Sequence, residues 1–249
     1  MENTKIIKKG NRIGLLDELR GLAILCMVMY HTMFLLGMFG VNIPLMSSSA
    51  MNITRDIFAG MFIFISGCMC RFSHNNLKRG AICFFCGMII TFVVPFFADA
   101  IIVFGILHFM GISMLIYGLC GTVFEKLPAL VGIIICALLA VCTWSIDMGY
   151  FGIPGAFQIK ISDAAYNAGV LFPFGIYNSN FQSWDYFPLL PWFFVFIGGS
   201  YFGEWAKNGS LPKFFYPVHI KWLAAVGRHT IWIYLLHIPI IFLILNIIF

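Results

Sequence analysis

The chain has 249 residues, of which 61% are apolar and only 10% carry a formal charge. Soluble domains average about 45–50% apolar and about 25% charged residues, so this chain has too little charge to cover a water-facing surface. The composition excludes a soluble enzyme, a nucleic-acid-binding module, a disordered chain and a disulfide-rich scaffold. It predicts a polytopic protein embedded in a lipid bilayer, in which the net charge of +5 reports mainly which loops face the cytoplasm.

Apolar stretches long enough to cross a membrane recur along the whole chain. A hydrocarbon core of about 30 Å needs about 20 apolar residues, and seven stretches approach that length, at about 16–39, 55–71, 80–97, 100–120, 128–146, 187–204 and 222–249. The segment 147–186 is too polar for a lipid-facing helix, so we expect an extracytoplasmic loop or a re-entrant piece that lines a protein-walled cavity. The predicted fold is an all-α transmembrane bundle of about seven spans, forming a single domain over residues 1–249.

The distribution of positive charge predicts the orientation of the bundle. If the N-terminus is cytoplasmic, 13 of the 15 Lys and Arg residues lie inside and only Arg55 and Lys160 lie outside. The thirteen are Lys5, Lys8, Lys9, Arg12, Arg20, Arg71, Lys78, Arg79, Lys126, Lys207, Lys213, Lys221 and Arg228. An eighth span within 147–186 would weaken this asymmetry. We therefore expect a multi-pass protein of the cell membrane, with its N-terminus inside and its C-terminus outside.

Ionisable residues within the first predicted span are candidate site residues, because charge is costly in a bilayer. Arg20 and His31 are eleven residues apart, which is three helical turns plus about 20°, so both lie on one helix face, about 16.5 Å apart. Arg20, at the cytoplasmic interface, is either a snorkelling anchor or an anion ligand. His31, in the outer half of the bilayer, is either an interhelical hydrogen-bonding residue or a proton acceptor.

Three further spans carry polar residues of the same kind. Asp56 begins the second span, where it either caps the helix or pairs with Arg55. His108 in the fourth span is about 12 Å below the outer surface if the helix starts near residue 100, which is a depth similar to that of His31. His237 in the last span is also in the outer half and follows Tyr234 on the same face. No HExxH-type pair or carboxylate cluster accompanies these histidines, so we expect no metal site.

Five segments resemble a known family. They are LDELRGLAILCMVMYH (16–31), FIFISG (62–67), FGILHFMGIS (104–113), DYFPLLPWF (185–193) and GRHTIWIYLLH (227–237). Together they are similar to the heparan-α-glucosaminide N-acetyltransferase-like family of bacterial membrane proteins. The resemblance implies an integral membrane acyltransferase that takes acetyl from cytoplasmic acetyl-CoA and delivers it to an extracytoplasmic sugar, either an amino sugar or an envelope glycan.

The resemblance also implies roles for individual residues. Arg20 and His31 fit the Arg-x10-His pattern of the broader membrane acyltransferase superfamily, in which that histidine is catalytic. The lysosomal enzyme of the family carries Asn at the position of His31 and its catalytic His in the next luminal loop, but loop 40–54 of this chain contains no histidine. We therefore expect His31 to be the general base, with His108 and Asp56 as further catalytic residues.

The remaining expectations concern the ligands. Arg20, Arg71, Arg79 and Arg228 are predicted to bind the phosphates of acetyl-CoA, and Arg55, Asp185, Tyr234 and His237 are predicted to contact the acceptor. N- and O-acetylation both remain open, as do direct transfer and an acetyl-histidine intermediate. Because the chain is shorter than the lysosomal enzyme, part of its framework is either missing or supplied by a second copy, as in a homodimer. A small-molecule transporter or channel, or a non-catalytic membrane subunit, is the alternative function.

Overall fold

The computed structural model describes residues 13–96 and 100–249. Its helices are α1 (Gly14–Met38), α2 (Ser49–Cys70), α3 (Asn76–Val93), α4 (Ile106–Phe124), α5 (Ala129–Thr143), α6 (Asp163–Asn167), α7 (Leu189–Lys207), α8 (Lys221–Arg228) and α9 (Thr230–Ile248). An antiparallel hairpin of β1 (Tyr150–Ile153) and β2 (Phe157–Lys160) lies between α5 and α6. Short 3-10 turns lie at Pro44–Ser47, Val94–Phe96, Phe172–Phe174 and Lys213–Phe215.

Helices of membrane-spanning length account for most of the predicted spans. Within the described residues, five are long and apolar enough to cross a bilayer: Gly14–Met38, Ser49–Cys70, Asn76–Phe96, Ile106–Phe124 and Thr230–Ile248. Two other predicted spans correspond to α5, which has only 15 residues, and to α7, which has 19. The chain is thus an all-α membrane protein, while seven spans and a cytoplasmic N-terminus stay predictions. Of the residues that predict the orientation, Lys5, Lys8, Lys9 and Arg12 lie outside the described residues.

The predicted boundaries are wrong for the fourth and the last span. Helix α4 begins at Ile106 and not near residue 100, because the preceding residues bond through their backbone to a second segment of the chain. The N–H of Trp184 donates to Ile101 O at 2.9 Å, and the N–H of Phe187 donates to Phe104 O at 3.1 Å. The last predicted span, 222–249, is two helices that meet at His229, whose φ of −110° and ψ of 18° are not helical.

The polar segment 147–186 contains local structure that the sequence analysis missed. Tyr150 pairs with Lys160 and Ile153 with Phe157, so the hairpin closes through Pro154, Gly155 and Ala156. Gly155 has a φ of +82°, in the left-handed region that glycine adopts without strain. Helix α6 follows with only five residues. The segment is therefore a folded cap of short elements.

The chain divides into two compact units. The first is Met1–Ile65 with Trp205–Phe249, and the second is Ser66–Glu204. Within the first unit, α1 packs on α8 and α9, and Ala224 has no exposed surface. Within the second unit, α3 packs along α4, and Phe109 and Phe196 are wholly buried. The interpretation of residues 1–249 as one domain stays a prediction.

Candidate active site

Helices α1 and α8 of the first unit touch through their backbones. A Cβ added to Gly21 would overlap the carbonyl oxygen of Leu223, and one added to Gly227 would overlap the carbonyl of Asp17. Only glycine permits this approach without moving a backbone, because it has no side chain. The glycines of the segments ELRGL and AVGRH therefore fix the distance between the start of α1 and the end of α8.

Glu18 holds the beginning of α8. Its Oε1 atom accepts the backbone N–H of Ile220 at 2.8 Å and also the N–H of His219. The first N–H groups of a helix lack partners within the helix, and a negative charge there also interacts favourably with the helix dipole. Because Glu18 is only 4% exposed, this acidic residue is a structural link between two helices far apart in sequence.

Arg20 connects α1 to the first residue of α9. Its Nη2 atom donates to Thr230 Oγ1 at 3.1 Å, and its guanidinium carbon lies 6.0 Å from the ring centre of Phe62. The aromatic face attracts a cation at that distance. Arg20 is half-buried and Thr230 is 3% exposed. The Arg of the Arg-x10-His pattern therefore lies at the junction of α1, α2 and α9.

His31 forms a pair with His237. The His31 Nδ1 atom lies 2.7 Å from His237 Nε2, and the two ring planes differ by only 13°. On its other side, His237 Nδ1 lies 2.7 Å from the backbone carbonyl oxygen of Tyr234. His237 is 5% exposed, whereas His31 is half-buried and meets the ring of Tyr30 at 5.7 Å. The arrangement is a chain of polar contacts with a buried inner member and a half-buried outer one.

Arg55 and Asp56 lie close to this pair. They form an ion pair at 2.9 Å, and Arg55 also interacts electrostatically with the side chain of Tyr30, which precedes His31. Both members of the ion pair are partly exposed, at 41% and 31% of their side-chain surface. Because α2 begins at Ser49, neither residue lies in its first turn, so Asp56 pairs with Arg55 and does not cap the helix.

His108, in the second unit, lies at the beginning of α4. The N–H of Gly105 donates to His108 Nδ1 at 3.3 Å, and His108 Nε2 lies 3.3 Å from Thr91 Oγ1, whose hydroxyl donates to Ile102 O. Both ring nitrogens therefore have partners. Since α4 starts at Ile106, His108 is in its first turn, and the helical count from residue 100 that gave a depth of about 12 Å does not apply.

Asp185 also holds the beginning of α4. Its Oδ2 atom accepts the N–H of Ile106 at 3.3 Å, and Gly105 pairs with Tyr186 as an isolated bridge. Asp185 has a φ of 49°, which is uncommon for a residue with a side chain. The segments FGILH and DYF, separate in sequence, thus form one structural junction.

The cationic residues predicted to bind acetyl-CoA divide between the two units. In the second unit, Arg71 contacts Glu125 at 3.2 Å and Glu204 at 3.5 Å, and its Nε donates to Ser200 O at 3.1 Å. Only 8% of the Arg71 side chain is exposed. Arg79, also in the second unit, donates to Asn76 Oδ1 at 3.4 Å. Arg228, in the first unit, is an exposed cation at the end of α8.

The segment 147–186 offers a polar cleft and buried hydroxyl groups. A cleft of about 230 Å³ is lined by Asp147, Met148, Gly149, Tyr150, Lys160, Asp163 and Tyr166.

Two tyrosine hydroxyls of the same segment bond to backbone carbonyls. Burial raises the pKa of Tyr186, which donates to Phe172 O. Burial and then the charge of Asp147 raise the pKa of Tyr166, which donates to Ile146 O. Both hydroxyls therefore stay protonated and hold the loop together.

The structure assigns partners that the sequence analysis did not. Thr230, Glu18 and Gly227 were not predicted as site residues, although they lie within the segments GRHT and DELRG. His237 was predicted to contact the acceptor, but it lies against His31. Tyr234 was predicted to do the same, yet its backbone carbonyl contacts His237. In residues 13–96 and 100–249, no three His, Cys, Asp or Glu side chains are grouped as ligands for a metal ion.

Comparison with known proteins identifies the family. The sequence model described as heparan-alpha-glucosaminide N-acetyltransferase, catalytic, matches residues 12–239, nearly the whole chain. Comparison with curated proteins gives no match, and comparison with solved structures gives none either. The family match spans α1, with the Arg20–His31 pattern, and reaches past His237. The chain belongs to the heparan-alpha-glucosaminide N-acetyltransferase family of membrane acyltransferases.

Proposed function

We propose that the protein transfers an acetyl group from cytoplasmic acetyl-CoA to a sugar on the opposite side of the membrane, with His31 as the general base. The observation that carries this proposal is the pairing of His31 with His237 inside a chain of this family. His31 is half-buried and its Nδ1 atom is held by His237. Its other ring nitrogen can therefore act as a proton acceptor in acyl transfer.

The reaction balances with His31 as the only proton carrier. His31 takes the proton of an acceptor hydroxyl or amine as the acceptor oxygen or nitrogen attacks the thioester carbonyl. The carbon–sulfur bond breaks, the CoA thiolate leaves, and it receives the proton from the His31 imidazolium. The products are an acetylated sugar and free CoA, and the imidazole returns to its neutral form.

The donor end of the site is proposed to lie at the start of α1 and the end of α8. Arg228 is exposed at the end of α8 and Lys221 at its beginning, and both can attract the phosphates of CoA. Arg20 lies about 16.5 Å from His31 along α1, a distance that the extended pantetheine arm is suited to bridge. Arg71 is a weaker candidate than the prediction made it, because two carboxylates already balance its charge.

The acceptor end is proposed to lie at the outer end of α1. Arg55 and Asp56 are partly exposed and linked to Tyr30, and such a pair can bond to sugar hydroxyls. We propose that His108 and Asp185 instead shape the scaffold, since both are engaged at the beginning of α4. An amino sugar and an envelope glycan are both candidate acceptors.

The topology proposed for this function has seven spans and a cytoplasmic N-terminus in the cell membrane. Two contacts support an odd number of crossings. Arg20 precedes His31 in α1, Thr230 precedes His237 in α9, and these residues pair in the same order. Helices α1 and α9 therefore run parallel, which an eight-span bundle would not allow. A homodimer remains the proposed arrangement if a second copy supplies part of the framework.

Sided proteoliposomes test the proposed function. Acceptor panels of amino sugars and envelope glycans are sealed in the lumen, and acetyl-CoA with a labelled acetyl group is added outside. We expect labelled sugar in the lumen and free CoA thiol outside, with neither produced by liposomes that carry His31→Ala. Transport of intact acetyl-CoA into the lumen, or thiol release that is independent of every acceptor, would contradict the proposal.

A further inference from the structure

The carbonyl of Tyr234 determines which nitrogen of His237 carries a proton. A carbonyl oxygen can only accept a hydrogen bond. Because His237 Nδ1 lies 2.7 Å from Tyr234 O, that nitrogen must be the donor. In the neutral imidazole the other nitrogen, Nε2, then carries a lone pair and accepts.

The same logic extends to His31. His237 Nε2 accepts, and His31 Nδ1 lies 2.7 Å from it, so His31 Nδ1 must be protonated and must donate. The neutral His31 ring then carries its lone pair on Nε2. If His237 instead carried its proton on Nε2, the lone pair of its Nδ1 would face the lone pairs of Tyr234 O. If both nitrogens of His237 were protonated, a charged ring would lie at a site only 5% exposed.

We propose that His237 is a positioning residue, which fixes the tautomer and the ring orientation of His31 so that Nε2 of His31 is the atom that accepts the proton. The inference rests on the proposed function, because it assigns a role to His237 in the reaction of His31. The burial of the two residues agrees with it, since His31 is less buried than His237 and carries the lone pair, on Nε2, that no protein group occupies in the pair.

The bond between the rings also matters after the proton has moved. When His31 becomes an imidazolium, its Nδ1–H becomes a charge-assisted donor to His237 Nε2, and such bonds are stronger than neutral ones. His237 therefore stabilises the charged form of the base as well as orienting the neutral one. A residue that contacted only the acceptor, as the sequence analysis expected, would do neither.

A second contact between α1 and α9, the bond from Arg20 to Thr230, holds the His31–His237 pair in place. From Arg20 to His31 the rise along α1 is about 16.5 Å, and from Thr230 to His237 along α9 it is about 10.5 Å. The difference of about 6 Å is one helical turn, and the long side chain of Arg20 spans it. Since each pair keeps to one face of its helix, the Arg20–Thr230 bond sets the register in which the two histidines meet.

Two substitutions at His237 separate its two contacts. In His237→Gln, the side-chain oxygen takes the place of Nε2, so His31 Nδ1–H keeps its acceptor. In His237→Asn, the shorter amide takes the place of Nδ1, so the bond to Tyr234 O is kept and the contact with His31 is lost. Turnover is measured with acetyl-CoA and the best acceptor, and the melting temperature in detergent is measured for every variant. His74→Gln, at an exposed loop histidine, is the matched control.

We expect His237→Gln to stay within a few-fold of the parent kcat and His237→Asn to lose about 10²-fold, with little change in KM for either substrate. In a His31→Ala background, His237→Asn should lower the rate no further, because a positioning residue has no effect once its partner is gone. His74→Gln should match the parent. Equal kcat values for the Gln and Asn variants, or a further loss in the His31→Ala background, would overturn the role of His237.

Failure of the inference can be told apart from failure of the proposed function. If the parent protein transfers acetyl and His31→Ala does not, the general base stands whatever the His237 variants do. If His237→Asn raises the KM of the acceptor and leaves kcat unchanged, His237 binds the acceptor and the inference is wrong. If the parent transfers no acetyl to any acceptor, the proposed function itself is wrong, and the inference is wrong with it.

Discussion

The side chain of Arg20 donates to the hydroxyl of Thr230 at 3.1 Å, and this bond joins the two segments that also carry the paired histidines. Both contacts connect α1 to α9, and the single residue His229 separates α9 from α8. The close packing of α1 against α8 therefore helps to fix the position of α9 at the candidate site.

Substitution of Gly21 by Ala should lower the stability of the protein. The added methyl group would meet the backbone of Leu223, and overpacking of this kind costs about 1–3 kcal/mol. Gly37 is the matched control in the same helix, because nothing lies within 4 Å of its Cβ position. Gly37→Ala should be neutral or stabilising by up to about 1 kcal/mol, since Ala favours a helix. Thermal unfolding in detergent measures both, and equal melting temperatures would contradict the close packing.

Glu18 variants should separate hydrogen bonding from charge. Glu18→Ala leaves the N–H groups of His219 and Ile220 without their acceptor, which costs about 1–3 kcal/mol for a buried group. Glu18→Gln keeps an acceptor oxygen and loses only the charge near the helix start, an effect of about 0.3–1 kcal/mol. The melting temperature should therefore fall further for Ala than for Gln. An equal loss in the two variants would mean that the charge of Glu18 dominates, because both variants remove it.

The sequence predicts the helices better than it predicts their partners. The apolar runs place α1 and α3 within a few residues, and a rotation of 100° per residue correctly puts Arg20 and His31 on one face of α1. Periodicity within one helix contains no information on how it is rotated against another helix. The contact of His31 with His237, 206 residues away, could therefore not be derived from spacing.

The two wrong boundaries have a local cause. Residues 101–104 are as apolar as a span, but the carbonyl oxygens of Ile101 and Phe104 accept the backbone N–H groups of Trp184 and Phe187, and α4 starts only at Ile106. The depth assigned to His108 depended on that start. The break at His229 falls in the polar run Arg228–Thr230, inside a stretch that was predicted as one span.

Replacement by Ala should affect stability at Arg71 and acetyl-CoA binding at Arg228. Arg71→Ala removes the cation between Glu125 and Glu204, so it should lower the melting temperature and leave the Kd for acetyl-CoA unchanged. Arg228→Ala should raise that Kd about tenfold at low salt, which corresponds to about 1.4 kcal/mol of charge-assisted bonding. The difference should shrink as salt rises.

Calorimetric titration with acetyl-CoA measures the two Kd values. Lys126→Ala is the control for charge alone, because Lys126 is an exposed cation of the α4–α5 connection. It should change neither the Kd nor the melting temperature. An unchanged Kd in Arg228→Ala would remove Arg228 from the phosphate site, and a raised Kd in Arg71→Ala would restore Arg71 to it.

The proposed orientation predicts which loops an impermeant thiol reagent can reach. Ser162→Cys, beside the outer hairpin, should be labelled in intact cells, and His74→Cys, between α2 and α3, only after the cells are opened. The parent protein gives the background from its native cysteines, of which Cys120 is exposed. Labelling of His74→Cys in intact cells would invert the topology and place the base on the wrong side for an extracytoplasmic acceptor.

His108 should affect stability more than turnover. Both of its ring nitrogens are engaged at the start of α4, so His108→Ala should lower the melting temperature and leave most of kcat.

Asp56→Asn should weaken acceptor binding through its partner Arg55, and the effect should appear mainly as a higher KM for the acceptor. Steady-state kinetics beside thermal unfolding measures these effects.

The last prediction concerns the pH dependence of the base. An imidazole accepts a proton only while it is unprotonated, so the rate should fall by about tenfold per pH unit on the acidic side of its titration. A hydroxyl acceptor is used, because an amine acceptor also loses its nucleophile as it is protonated. His31→Ala should lose about 10²–10⁴-fold in rate, and its residual rate should not depend on pH over the same range. If His31→Ala keeps its turnover and His108→Ala is inactive, His108 is the base and His31 is not. If both variants keep their turnover, neither His31 nor His108 is the base.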